Sequence, residues 1–135
     1  MKQIVLIAIP LLFVFTSCGQ RSQSISYGQQ LKTVGVDEFE KQIVAVQGEQ
    51  LVDVRTPQEF AESHIKGAIN IDFRNPIFSD EINKLDKTKP LLIYCRSGRR
   101  SGDALSVCKN LGFTTVYDLS GGIIAWQQAE KPEEK

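Results

Sequence analysis

Residues 90–94 read Pro-Leu-Leu-Ile-Tyr and form the most apolar strand segment that the sequence predicts. The turn Cys-Arg-Ser-Gly-Arg-Arg-Ser follows directly at residues 95–101, and a segment of helical character comes next. A buried strand that passes through a turn into a helix is the repeating unit of α/β proteins. We therefore expect residues 90–94 to lie at the centre of a sheet.

The same alternation of strand and helix continues along the chain. Strands are predicted at residues 31–34, 50–54, 68–71, 90–94 and 113–119, and helices at residues 37–46, 76–85, 101–111 and 121–129. A further short helix begins at Pro57 with Thr56 as its cap, and its acidic residues Glu59 and Glu62 are expected to be solvated. Strands separated by helices imply right-handed crossovers, so the predicted fold is α/β, with a mainly parallel sheet of about five strands and helices on both faces.

Cys95 lies where the predicted central strand ends, which is the end at which parallel sheets bind ligands. The N–H groups of the turn and the positive end of the following helix favour an anion, and hence the ionised, nucleophilic form of the Cys95 thiol. Arg96, Arg99 and Arg100 in the same turn predict that the substrate is also an anion. The alternative is a buried cysteine beside a solvated arginine loop, which better suits a cysteine in mid-strand or mid-helix.

The other cysteines, the histidine content and the charge balance disfavour several classes of protein. Cys108 is expected to pack in the core, and the sequence indicates no disulfide framework. One histidine and no close cysteine pair predict no metal site. Without residues 1–17 the side chains carry 15 positive and 16 negative charges, and the basic cluster is confined to the turn. This pattern favours a small anion over a nucleic acid as the ligand.

The N-terminal segment predicts export and a lipid anchor. Lys2 is followed by an apolar run at residues 4–15 that is too short to span a bilayer comfortably. Residues 15–18, Phe-Thr-Ser-Cys, resemble a bacterial lipobox, in which cleavage leaves a lipid-modified cysteine, here Cys18, at the mature N-terminus. Residues 1–17 are thus predicted to be a signal peptide and residues 18–30 a flexible tether. The expected location is the bacterial cell envelope, facing the periplasm or the exterior, and ordinary cleavage without lipid is the alternative.

Three motifs resemble those of rhodanese domains. They are LVDVRTPQEFAESHIKGAINI at residues 51–71, LLIYCRSGRRS at 91–101 and VYDLSGGIIAW at 116–126, which are similar to the N-terminal signature, the active-site loop and the C-terminal signature of that family. The resemblance covers residues 31–130 and leaves residues 131–135 as a polar tail. It implies a three-layer rhodanese-like fold and a sulfurtransferase activity.

The resemblance also implies roles for particular residues. Cys95 matches the catalytic cysteine, and the substrate-binding loop matches Arg96, Ser97, Gly98, Arg99 and Arg100. Asp53, Arg55 and Ser101 are expected to give structural support, and His64 matches a structural turn. The implied reaction moves a sulfane sulfur from an anionic donor such as thiosulfate to cyanide or a thiol through a Cys95 persulfide, without a cofactor. A thiol on a partner protein is a further candidate acceptor.

Two alternatives to this enzyme remain. Four residues separate Cys95 from Arg100, whereas the phosphatases and arsenate reductases that share this fold have five. The shorter loop suits a single sulfur atom better than a tetrahedral oxyanion, so a phosphatase or arsenate reductase is disfavoured. A tethered carrier that delivers persulfide sulfur to a partner protein needs the same reactive cysteine, so it stays open.

Overall fold

The structure, a computed structural model, describes residues 28–45 and 50–135. The predicted signal peptide at 1–17, Cys18 and the tether as far as residue 27 lie outside the described residues. The helices are α1 (Val36–Ala45), α2 (Pro57–Glu62), α3 (Phe78–Asn83), α4 (Arg99–Asn110) and α5 (Gly122–Gln128). The strands are β1 (Gln30–Val34), β2 (Gln50–Asp53), β3 (His64–Ile65), β4 (Ile69–Asn70), β5 (Leu91–Tyr94), β6 (Thr115–Leu119) and β7 (Glu133–Glu134). Within the described part of the chain, every helix is too short or too polar to span a bilayer.

Five strands form one parallel sheet in the order β1-β6-β5-β2-β4. Strand β5 lies at its centre, where Leu92 pairs with Leu51 of β2 on one side and with Tyr117 of β6 on the other. The predicted α/β class, the parallel sheet of five strands and the central position of β5 are confirmed. The carboxyl ends of these strands form one edge of the sheet, and the turn after β5 projects from that edge.

The two faces of the sheet pack against different helices because successive strand side chains point in opposite directions. Leu91 and Ile93 of β5 belong to an apolar cluster that includes side chains from α3 and α4. Leu92 and Tyr94 belong to a second cluster, with side chains from α1 and α5. Burial of β5 on both faces accounts for its continuous apolar sequence.

Several elements differ from the predictions. Helix α4 begins at Arg99, two residues before its predicted start, because Gly98 adopts a φ of +97° and turns the chain sharply into the helix. Helix α3 and strand β4 are each shorter than predicted. Strands β3 and β7 pair antiparallel outside the main sheet, and β7 lies within the segment predicted as a polar tail. A strand of two residues is too short for an alternating pattern to reveal it.

Candidate active site

The Cys95 sulfur lies at the carboxyl end of β5, where the turn wraps around it. The Gly98 N–H donates a hydrogen bond to Sγ at 3.1 Å, and the Ser101 hydroxyl lies 3.5 Å from the same atom. Cys95 is only 1 % exposed and packs against the apolar cluster, yet it also lines an open cleft. One backbone N–H and one hydroxyl therefore lie against the sulfur at the floor of this cleft, where the prediction was several N–H groups of the turn.

The backbone of the turn is held in place by the beginning of α5. The N–H groups of Ile123 and Ile124 donate to the carbonyl oxygens of Cys95 (2.8 Å) and Arg96 (3.2 Å). Gly122 makes this close approach feasible, because a Cβ at that position would lie 2.4 Å from the Cys95 carbonyl oxygen, and its φ is +58°. No such role was predicted for the glycine pair of the C-terminal motif. The only signal of this contact in the sequence is the pair itself, Gly121 and Gly122.

The cleft above Cys95 has a volume of about 660 Å³ and a strongly basic lining. The lining contains four arginines and two glutamates, and three of the arginines belong to the predicted loop. Its lining residues are Thr56, Gln58, Glu59, Glu62, Arg74, Cys95, Arg96, Ser97, Arg99 and Arg100. This lining contains four of the five residues of the predicted substrate-binding loop, all except Gly98. It also contains Arg74, which was not predicted.

Arg100 forms an ion pair with a carboxylate that was predicted to be solvated. Its two terminal nitrogens donate to the two carboxylate oxygens of Glu59, each at 2.7 Å. The expectation for Glu59 was wrong, because the fold brings α2 against the beginning of α4. Hydrogen bonding to Arg100 lowers the pKa of Glu59 to about 2, and contacts with Thr56 contribute to the same shift. Glu62 of the same helix is exposed and also lines the cleft.

Asp53 and Arg55 form a buried ion pair beside this site. The Arg55 Nε donates to Asp53 Oδ2 at 2.9 Å and a terminal nitrogen donates to the same oxygen at 2.7 Å. Arg55 also donates to the Ser63 carbonyl oxygen at 2.6 Å, which fixes the end of α2. Asn70 donates to the carbonyl oxygens of both residues of the pair. These contacts hold the loop after β2, which is the kind of structural support expected of the two residues.

Asp118 on β6 is a buried acid near the site, and no role was predicted for it. Its Oδ2 accepts a hydrogen bond from the Thr33 hydroxyl at 3.3 Å, while Oδ1 is buried with no hydrogen-bond partner among the described residues. Burial raises the pKa of Asp118, and hydrogen bonding from Ser101 and Thr33 opposes that rise. The same Ser101 hydroxyl lies 3.5 Å from the Cys95 sulfur.

His64 and Cys108 lie away from the cleft lining. The His64 ring stacks on Phe60 with 3.7 Å between ring centroids, and its Nδ1 lies 3.0 Å from the Phe60 carbonyl oxygen. Cys108 is fully buried in the core, and burial raises the pKa of its thiol to about 12. The part of the chain that the structure describes contains no group of three His, Cys, Asp or Glu side chains that could hold a metal ion.

A parallel sheet with a cysteine sulfur in a basic turn at the end of its central strand is the arrangement of the rhodanese-like class. The family model described as rhodanese-like domain matches residues 35–129, and the chain belongs to this family.

Relatives and solved structures are similar over most of the same region. The chain is 37 % identical over 86 residues to the protein named thiosulfate sulfurtransferase GlpE of Pseudomonas syringae, covering 64 % of this chain and 79 % of that protein. It is 34 % identical over 95 residues to thiosulfate sulfurtransferase 16, chloroplastic, of Arabidopsis thaliana, covering 63 % and 79 %. A rhodanese-like domain protein of Staphylococcus aureus has a TM-score of 0.62 at 28 % identity, covering 70 % of this chain and 90 % of that one.

Proposed function

We propose that this chain is a thiosulfate sulfurtransferase that carries the transferred sulfur on Cys95. The observation that carries the proposal is the Cys95 sulfur held by the Gly98 N–H and near the Ser101 hydroxyl at the floor of an arginine-lined cleft. Relatives at 37 % and 34 % identity are named thiosulfate sulfurtransferases, which supports the same substrate.

In the first step the Cys95 thiolate attacks the outer sulfur of thiosulfate. A bond forms between Sγ and that sulfur, the sulfur–sulfur bond of the donor breaks, and sulfite leaves with the electron pair. The exposed guanidinium groups of Arg96 and Arg99 line the cleft, so they attract the dianionic donor and stabilise the departing anion. The step needs no general acid, because sulfite leaves without a proton.

In the second step an acceptor removes the outer sulfur from the Cys95 persulfide. Cyanide or a thiolate forms a bond to that sulfur, the persulfide bond breaks, and the Cys95 thiolate is restored. The Gly98 N–H, which donates to Sγ at 3.1 Å, stabilises the anion that returns to this atom. The cycle is a double displacement that uses no metal and no organic cofactor.

Mass spectrometry of the purified chain after exposure to thiosulfate tests the first step. We expect the mass of one sulfur atom to be added at Cys95 and to disappear on addition of cyanide, with thiocyanate released. Cys95→Ser should abolish both signals, whereas Cys108→Ala should retain them, because Cys108 is fully buried. Sulfur found on Cys108, or thiocyanate formed by Cys95→Ser, would overturn the proposal.

The same preparation separates the alternative functions. Repeated turnover with cyanide is expected of the enzyme, whereas a carrier would load stoichiometrically and release its sulfur only to a partner protein. Release of phosphate from a phosphomonoester, with no loading by thiosulfate, would instead indicate a phosphatase.

The location in the cell envelope is part of the proposal and rests on the sequence of residues 1–18 alone. A lipid on Cys18 would anchor the domain at a membrane surface without a spanning helix. The mass of the mature N-terminus in membrane fractions of the native host measures this directly, and an unmodified Cys18 would contradict it.

A further inference from the structure

Asp118 lies near the carboxyl end of β6, on the face of the sheet that carries α3 and α4. It pairs in register with Thr33 of β1 and with Ile93 of β5, and Ile93 belongs to the apolar cluster on that face. Asp118 is only 2 % exposed and forms no ion pair with another described residue. A carboxylate in such surroundings is costly to keep ionised, so its hydrogen bonds decide its protonation state.

The hydrogen bonds around Asp118 favour its protonated form. The Thr33 hydroxyl donates to Oδ2 at 3.3 Å, and Oδ1 is buried with no partner among the described residues. Ser101 is the other group that hydrogen-bonds to the carboxyl, and burial raises the pKa of Asp118. An ionised carboxylate can only accept hydrogen bonds and would leave Oδ1 unsatisfied, whereas a protonated carboxyl can also donate one.

The Ser101 hydroxyl is fully buried at the start of α4 and has a single proton to donate. The Cys95 sulfur, 3.5 Å from this hydroxyl, is one acceptor for it, and the Asp118 carboxyl is the other. If Asp118 is ionised, it takes the Ser101 proton, and the sulfur keeps the Gly98 N–H as its donor. If Asp118 is protonated, it donates to Ser101, and the Ser101 proton is left for the sulfur.

We propose that protonated Asp118 is a positioning residue, which donates a hydrogen bond to Ser101 and so directs the Ser101 proton towards the Cys95 sulfur. The inference rests on the proposed sulfur transfer through Cys95 and adds a residue to it. The Cys95 thiolate, both before the attack and when it is restored, is then stabilised by the Gly98 N–H and the Ser101 hydroxyl together. Asp118 acts on the sulfur through Ser101 alone.

This arrangement depends on pH in a way that belongs to Asp118. The polar groups that act on it are Thr33 from β1 and Ser101 from α4, and neither carries a charge. Because burial raises the pKa of Asp118, its protonated form persists above the usual range of an aspartic acid and is lost as the pH rises further. Ionised Asp118 then turns the Ser101 proton away from the sulfur.

The rate at which iodoacetamide alkylates Cys95, followed over a range of pH and located by mass spectrometry, tests the proposal without using sulfur transfer. The full chain is compared with Ser101→Ala and with Asp118→Leu, which removes the donor at similar size. At mildly acidic pH each variant should react about tenfold more slowly or less, because a hydrogen bond to a charged group is lost. The double variant should lose no more than either single variant, since Asp118 acts through Ser101.

Asp118→Asn gives the readout that a merely structural role would not change. Its amide N–H can donate to Ser101 at every pH, so it should react at nearly the rate of the full chain at mildly acidic pH. As the pH rises, the full chain should become slower relative to Asp118→Asn, because only the aspartate can ionise. Asparagine is close to aspartate in shape, so this comparison holds even if Asp118→Leu does not fold.

Asp103→Asn is the control, because Asp103 is an exposed acid on the same helix as Ser101 and lies outside the cleft lining. It should leave the alkylation rate and its pH dependence unchanged. An Asp118→Asn variant as slow as Ser101→Ala, additive losses in the double variant, or a ratio to Asp118→Asn that is the same at every pH would overturn the role of Asp118. Failure of thiosulfate to load Cys95 in the unaltered chain would instead overturn the proposed function, and alkylation distinguishes the two.

Discussion

The carboxylate of Glu59 makes two kinds of contact, one with Thr56 and one with Arg100. Its Oε2 accepts hydrogen bonds from the N–H and the hydroxyl of Thr56, both at 3.0 Å, which completes a capping box at the start of α2. The same carboxylate binds both terminal nitrogens of Arg100 at the start of α4. One side chain thus caps the start of a helix and binds an arginine of the cleft.

Glu59→Gln should weaken the fold in a pH-dependent manner. The pKa of Glu59 falls from 4.5 to about 2 on folding, so its contribution to stability is present above pH 4.5 and is lost as the pH falls towards 2. At pH 7 we expect the variant to lose about 1–2 kcal/mol of unfolding free energy, less than the full shift implies, because the side chain is partly exposed. Urea unfolding at pH 7 and at pH 2.5 measures the difference, which should shrink at the lower pH.

Glutamine keeps the capping contact, so the variant isolates the pair with Arg100. Glu62→Gln is the matched control on the same helix, since Glu62 is exposed and takes part in no ion pair with another described residue. A loss in Glu59→Gln that is the same at both pH values would mean that the ion pair contributes nothing to stability.

The start of α5 and the turn after β5 form one structural unit, although they are separated along the chain. The first N–H groups of α5 have no partners within the helix, and two of them bind the carbonyl oxygens of Cys95 and Arg96. These carbonyl groups therefore point towards α5, while the Gly98 N–H points at the sulfur. Helix α5 acts on the site through the backbone of the turn.

Gly122→Ala should disrupt this unit. The added Cβ would lie 2.4 Å from the Cys95 carbonyl oxygen and 2.6 Å from the Arg96 carbonyl oxygen, so the turn must move. Since a displacement of about 1 Å can lower a rate by a factor of about 100, we expect sulfur transfer to fall by that order. The thiosulfate–cyanide rate, normalised to folded protein by circular dichroism, is the measurement.

Gly102→Ala is the control for this substitution. Gly102 lies within α4, and a Cβ there would meet no atom within 4 Å. It should keep its activity and gain up to about 1 kcal/mol of stability, because alanine favours a helix over glycine. Full activity in Gly122→Ala would show that the turn does not depend on the contact with α5.

These contacts mark the limit of what the sequence could predict. The strand, the turn and the basic surroundings of Cys95 have local signals, namely an apolar run followed by glycine and arginines. The structure has a strand at residues 91–94 and a turn whose Gly98 N–H donates to the Cys95 sulfur. Glu59 and Arg100 are 41 residues apart, and only the order of the strands brings α2 against α4. Arg74 has no neighbouring motif to mark it, so its place in the cleft depends on the path of a loop. Neither the Glu59–Arg100 pair nor the place of Arg74 could be predicted, because both depend on tertiary proximity, which leaves no pattern in a single sequence.

At the scale of the whole molecule, the C-terminal segment closes the face of the sheet that carries α1 and α5. Strand β7 pairs with β3, and Glu134 accepts a hydrogen bond from the Gly67 N–H at 2.8 Å. The Pro132 carbonyl oxygen accepts from Trp126 Nε1 at 3.0 Å, and Lys131 binds Glu40 of α1. The segment therefore ties α5, α1 and the loop after α2 together, on contacts separate from the lining of the cleft.

Removal of residues 131–135 should lower stability while leaving the chemistry intact. The truncation deletes the β3–β7 pairing and leaves the buried Trp126 Nε1 without its acceptor, so we expect a loss of about 2–3 kcal/mol of unfolding free energy. For a domain of this size that loss lowers Tm by roughly 10 °C or more, which a thermal unfolding curve measures.

Lys135→Ala, at the exposed end of the segment, is the control and should leave Tm unchanged. Well below Tm, sulfur transfer should keep its rate, because no residue of the segment lines the cleft. A truncated chain that melts normally but transfers sulfur slowly would place the segment in the function of the site and contradict a purely stabilising role.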